Sequence, residues 1–254
     1  MIEMAISGLF GDRLDGVIFA DSGFERSATY EIVDFYSRRW SRLGANVEIL
    51  KTGDIRVDGA RDHIHIPFRT SSGAPLRRQC TSHFKIDPIK RRSRVLLGFD
   101  ASNPPHPPAG SIESWIGFSW DEFYRLFNSR VKFIVNRFPL IEIKANRWDN
   151  IKYLEDKGLP VPPPSACICC PFRSSSGWLE MRSSSPGDFQ AAVDFDEISR
   201  HNPLAKNESM EEDSLYIYKK AIPLREADLN ADAEKERTVK AIPLFVCTDS
   251  QCWT

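Results

Sequence analysis

The segment Asp15-Gly16-Val17-Ile18-Phe19-Ala20-Asp21 sets four apolar residues in a row between polar ends. A short continuous apolar run of this kind suits a strand buried on both faces, as parallel strands are, with Asp21 at its carboxyl edge. Ser22-Gly23 supplies a turn. Beyond it Ala28, Ile32, Phe35, Tyr36, Trp40 and Leu43 recur at steps of three and four, which predicts an amphipathic helix closed by Gly44. Asn46 to Leu50 alternates as a second strand, and His63 to Phe68 is expected to form a third. Strand, helix, strand at these lengths is a βαβ unit, and the chain is read as α/β with a mostly parallel sheet.

Outward from this unit the chain changes character. Ser102-Asn103-Pro104-Pro105-His106-Pro107-Pro108-Ala109-Gly110 cannot continue a helix or a central strand, so it reads as a linker. The expected organisation is an α/β core over residues 1–110 and a helical, loop-rich region over 111–254. Short helices are expected at Trp120 to Phe127, where Ser119 and Glu122 form a capping box, and at Ile151 to Lys157. With 254 residues, of which 41% are hydrophobic and 11% aromatic, the chain can bury a sizeable core and is not of the disordered class. No apolar run approaches ~18 residues, so no membrane span is expected. Met1-Ile2-Glu3-Met4 lacks a basic segment leading into an apolar one, and a cytoplasmic location is expected.

Charge and cysteine point to chemistry. The 34 basic and 35 acidic residues nearly cancel, yet Arg77 to Arg94 holds seven cations against Asp87 alone. Such a patch suits an anionic ligand or a solvated helix face. Six cysteines in a reducing compartment favour metal, cluster or thiol chemistry over disulfides. Cys167 and Cys170 form a C-x-x-C that can place two thiolates on one zinc ion or iron-sulfur cluster, with Cys169 turned away. Cys80, inside the basic stretch, and Cys247 or Cys252 near the end are the candidates to complete the site, and neighbouring cations favour a Cys80 thiolate. His63-x-His65 reads as one face of a strand. The common serine-hydrolase, zincin, P-loop and dinucleotide-binding motifs are absent.

Several blocks together resemble one family: Ile18-Phe19-Ala20-Asp21-Ser22-Gly23-Phe24-Glu25, Arg78-Gln79-Cys80-Thr81 with Lys85-Ile86-Asp87-Pro88-Ile89, Ile116-Gly117-Phe118-Ser119-Trp120-Asp121-Glu122, Phe138-Pro139-Leu140, and Ser165-Ala166-Cys167-x-x-Cys170-Pro171-Phe172 with Trp178. In this order they are similar to the phosphoadenosine phosphosulfate reductase-like proteins of bacteria and phages, within the adenine nucleotide alpha hydrolase-like superfamily. The resemblance implies a Rossmann-like sheet, a site for ATP or another adenine nucleotide at the strands' carboxyl ends, and in several relatives a [4Fe-4S] cluster. It places Asp21, Ser22 and Gly23 in the nucleotide crevice, Arg78, Lys85 and Arg94 against phosphate or sulfate, and Cys80, Cys167 and Cys170 on the cluster. Cys252 is the expected fourth ligand.

The chain departs from that family at its start. The first strand and its Ser-Gly-Gly-x-x-Ser loop are missing, and Met1 to Phe10 reads as the helix that would follow. A sheet without that strand would expose an edge, to be covered by a protein partner, a second copy or the N-terminal helix. The expected function is an oxidoreductase or sulfurtransferase of sulfur metabolism, acting on an anionic substrate such as an adenylyl sulfate or a nucleic acid. The alternatives are a nucleic-acid-associated module with a structural zinc site, which neutralises phosphates with its basic stretch, and an inactive homologue that works through a partner.

Overall fold

The computed structural model describes residues 1–58, 66–72, 75–99, 106–202 and 214–240, the side chains of 239 and 240 excepted. Val17–Asp21 forms β1 and Val47–Lys51 forms β2, joined by the 16-residue helix α2 (Ser27–Arg42). The two strands run parallel, in register from Val17 opposite Val47 to Asp21 opposite Lys51. Gly44 takes φ +86°, the left-handed conformation that ends a helix without Cβ strain. The βαβ unit therefore forms as its periodicity predicts. On α2 the inward stripe is Ile32, Tyr36 and Trp40, whereas Phe35 and Leu43 lie exposed at 41% and 50%.

The N-terminal helix α1 (Ile2–Ile6) packs on α2, where Glu3 accepts from Arg39 and from Trp40 Nε1 at 2.9 Å. Residues of α1, β1 and α2 together line an apolar cavity of about 330 Å³. Burial lowers the Met1 ammonium to about 6, against the opposing pull of Glu3.

The strand expected at His63 to Phe68 does not form over its described part. His63 and His65 lie outside the described residues, and Ile66 to Phe68 is irregular. Pro67 has no N–H to give to a ladder, and Phe68 N turns back to Ile66 O at 2.7 Å. The short strand comes next, β3 (Arg69–Thr70), antiparallel to β6 (Leu215–Tyr216). A π-helical turn at Ser82–Ile86 leads into α3 (Asp87–Leu96). A second parallel pair, β4 (Ile112–Trp115) with β5 (Ile134–Arg137), is linked through a 3₁₀ turn at Trp120–Arg125 that carries the expected capping box of Ser119 and Glu122. Among the described residues the strands thus form three two-stranded sheets, two of them parallel. The architecture is α/β with small sheets.

Helices α4 (Pro139–Glu142), α5 (Arg147–Asp156), α6 (Ser175–Ser184), α7 (Pro186–Ser199) and α8 (Leu229–Lys240) make the rest mainly helical. The main core centres on Trp178 and Met181 of α6, both fully buried, with Phe195 of α7, Leu215 and Tyr218. Phe24 and Phe84 enter the same core, so it draws on both sides of residue 110. No helix among the described residues is long and apolar enough to cross a membrane.

Candidate thiol site at the carboxyl end of the first strand

The turn after β1 is braced from within. Gly23 N donates to Asp21 Oδ1 at 2.8 Å, and the Tyr30 hydroxyl donates to the same oxygen at 2.9 Å. Gly23 takes φ +77°, and a Cβ there would sit 2.6 Å from Gly53 O. Asp21 and Gly23 thereby shape the turn, and this bracing holds Ser22 and Glu25 in place. Phe24 O then accepts from Ile168 N at 2.9 Å, and Glu25 forms an antiparallel bridge with Cys167. This bridge brings the cysteine loop to the strand end across 142 residues. The proline-rich approach to that loop is pinned by the Tyr36 hydroxyl, which donates to Pro160 O at 2.6 Å.

One carboxylate oxygen gathers the polar groups. Glu25, 1% exposed, accepts at Oε1 from Ser22 Oγ at 2.9 Å, from Lys85 Nζ at 2.9 Å and from the Cys167 thiol at 3.5 Å. Ser22 Oγ also lies 3.4 Å from Cys167 Sγ. Glu25 Oε2 is buried with no hydrogen-bond partner. Lys85 comes from the π-helical turn, where the extra residue per turn re-aims the side chain while Phe84, 1% exposed, anchors the segment in the core.

Arg173 braces the cysteine loop by donating from Nη2 to Cys167 O at 2.9 Å, and Arg78 stacks on Phe172 at 5.2 Å. Burial pushes the Cys167 thiol up to about 12, with Glu25 adding to the rise and Lys85 opposing it. Burial likewise raises Cys170, whose charge interacts with Arg173, Cys80 and Arg78. Burial works against the Lys85 ammonium, but Cys167 and Glu25 outweigh it and raise its pKa. Burial thus keeps the Cys167 and Cys170 thiols protonated at neutral pH unless a further positive centre replaces the proton.

Of the residues predicted from sequence, Ser22, Lys85 and Cys167 meet at Glu25 Oε1; Cys170 lies in the same loop, Arg78 stacks on its neighbour Phe172, and Cys80 packs against the main core as Cys167 does. Arg94 sits in the last turn of α3, nine residues beyond Lys85. The basic stretch is also less open than its composition suggests, because Arg92 pairs with Glu48 at 2.8 Å and Lys90 with Asp87 at 3.6 Å. Cys169 is 1% exposed, within the main core. Cys247 and Cys252 lie outside the described residues. Among the described residues no three His, Cys, Asp or Glu side chains are placed to hold one metal ion, although the donor type, soft sulfur, suits zinc or an iron-sulfur cluster. Arg173 was not singled out from sequence; a lone arginine three residues after a C-x-x-C carries no signal of its bond back to the cysteine backbone.

Comparison of the chain with protein-family models, with curated proteins and with solved structures found no match in any of the three.

Proposed function

We propose that the chain is a cytoplasmic sulfur-handling enzyme, similar to phosphoadenosine phosphosulfate reductase-like oxidoreductases or sulfurtransferases. In this reading a Rossmann-like core presents an anion or adenine-nucleotide site beside a [4Fe-4S] cluster held by Cys80, Cys167, Cys170 and Cys252. The observation that supports it is the meeting of Ser22, Lys85 and Cys167 at the buried Glu25 carboxylate at the carboxyl end of β1, with Cys170 in the same loop, Arg173 bonded to that loop's backbone and Arg78 stacked on Phe172. Ligands of open α/β sheets bind at that end of the strands. Thiols held protonated by burial are suited to a centre that displaces their protons, and an adjoining set of cations is suited to an anionic substrate. A bound cluster would supply electron transfer or sulfur activation; Lys85 and Arg78 would orient the anion, and Arg173 would hold the loop in shape.

A structural zinc site is the second reading. It is favoured by the way Ile168 and Cys169, between the two candidate ligands, are buried in the main core, so that a metal there would tie loop to core. Anaerobic purification with iron, sulfide and zinc analysis separates the two. The first reading expects a brown protein with stoichiometric iron and acid-labile sulfide, both lost in Cys167→Ser and Cys170→Ser and retained in Cys169→Ala. Colourless protein with one zinc per chain would replace it with the second, and protein holding neither would remove both.

A further inference from the structure

The turn after β4 is aromatic where a solvent-facing turn is ordinarily polar. In the 3₁₀ turn at Trp120–Arg125, Trp120 is 41% exposed and Phe123 and Tyr124 are each 57% exposed. Leu126 and Phe127, at 44% and 39%, continue the apolar run. The three rings pack in sequence, Trp120 with Phe123 at 6.0 Å and Phe123 with Tyr124 at 6.2 Å between centroids. Six residues of 3₁₀ turn rise only ~12 Å, so these side chains form one patch rather than scattered exposure.

The patch is anchored to its surroundings. Trp120 N donates to Ala145 O at 2.8 Å, and Lys144, at φ +55°, sets its ammonium 5.9 Å from the Trp120 centroid. Asp121 Oδ1 accepts from Arg147 N at 3.0 Å, and the residue after Arg147, Trp148, is 78% exposed. Phe127 O accepts from Asn136 Nδ2 at 3.1 Å, and its ring packs on Phe138 at 6.2 Å. Rings fixed in this way lose little conformational entropy when a second surface closes over them.

We propose that this patch is the contact between two copies of the chain, related by a two-fold axis, with Trp120, Phe123 and Tyr124 at its centre. A two-fold contact sets a surface against itself, so a surface of one sign would repel its copy. Between Phe118 and Asp149 the sequence holds six Lys or Arg against four Asp or Glu. Of these, Arg125 pairs with Glu122 and Arg137 with Glu142. That near-balance suits a self-contact, whereas a single-stranded nucleic acid stacked on the same rings calls for a strongly positive track. The area agrees. At ~200 Å² for a whole aromatic side chain, the exposed parts of Trp120, Phe123, Tyr124 and Phe127 amount to roughly 400 Å² per copy. Two copies then bury about 800 Å² of aromatic surface; with the apolar share of ~65% usual in homodimers, the whole contact reaches about 1,200 Å², the lower bound of stable specific interfaces. The inference does not rest on the metal reading, since none of these residues is a proposed ligand, and it uses no residue of β1.

The test is sedimentation velocity of the full chain from about 1 to about 100 μM, where a contact of this size should show a concentration-dependent dimer. Phe123→Glu and Tyr124→Glu are each expected to raise the dimer Kd about 30-fold or more, the loss typical of a residue central to an interface. Both positions are more than half exposed, so the melting temperature of each variant should match the parent's. Trp120→Ala, which introduces no charge, should weaken the dimer in the same direction. A chain that stays monomeric throughout overturns the proposal, as does a dimer that all three variants leave intact. So does a monomer that binds labelled oligothymidylate through Phe123 and Tyr124, which would assign the patch to nucleic acid. Iron and zinc content should be unchanged in the variants, so this contact and the metal reading fail separately.

Discussion

Replacing Lys85 by Met leaves the Glu25 carboxylate buried with, among the described residues, Ser22 Oγ and the Cys167 thiol as its side-chain donors. Breaking a buried ion pair by removing one partner costs about 3–5 kcal/mol, because the remaining charge is uncompensated. The Lys85 side chain is 32% exposed, so solvent screens part of the interaction, and about 2–3 kcal/mol is the expected loss. For a chain of this size that lowers Tm by roughly 4–12 °C. The reasoning is tested by a double-mutant cycle of Lys85→Met, Glu25→Gln and the pair, followed by thermal and urea unfolding. Because the double variant removes both charges, it should be more stable than the sum of the single losses predicts, with a coupling of about 1 kcal/mol or more. Strict additivity, or a Lys85→Met loss within about 0.5 kcal/mol of zero, would refute the view that Glu25 depends on this lysine.

Four further outcomes are expected. Burial works against ionisation of Glu236, but Lys219 and the amides of Ser175 and Ser176 outweigh it and hold its pKa at about 2. A depressed carboxylate stabilises the fold above its unfolded value and loses that contribution as pH falls from ~4.5 towards 2; discounted for solvent, it is worth about 1–2 kcal/mol. Glu236→Gln should therefore be less stable than the parent at neutral pH, with the gap closing below ~4.5 in pH-dependent melts. Gly23→Ala should destabilise by more than about 1 kcal/mol in urea titration, since φ +77° and the contact with Gly53 O both oppose a side chain. Trp178→Ala should cost about 3–5 kcal/mol, measured the same way, because the ring is fully buried in the main core. In metal-free protein at pH 8, iodoacetamide should alkylate Cys167 far more slowly than an unstructured cysteine, and mass spectrometry of the peptide would detect the reverse.

How much of the site is visible in the sequence depends on the range of the interaction. β1 announces itself as a continuous apolar run, α2 and β2 through periods of 3.6 and two, and the Ser119–Glu122 capping box through a three-residue spacing. Cys167 and Cys170 are near each other by spacing alone. One failure is local and another is tertiary. Pro67 breaks the alternation expected after His63, and Phe35 fits the helical period of α2 yet faces solvent, because the inward stripe is set by what β1 and α1 offer it. In the same way the excess charge of residues 77–94 is a fact of composition, while tertiary and local pairing joins Arg92 to Glu48, Lys90 to Asp87 and Lys85 to Glu25.

Local order determined the parallel strand pair, its crossover helix and the identity of the sulfur-bearing residues, since periodicity and short spacings are properties of adjacent positions. Only the packed chain decided that Glu25 meets Cys167 across 142 residues and that a π-helical turn aims Lys85 at the same carboxylate. Those contacts follow from where Phe24, Phe84 and Ile168 enter one core. Burial of apolar surface is non-directional and blind to sequence separation, so the polar groups carried beside those anchors are brought together without any local pattern to record it.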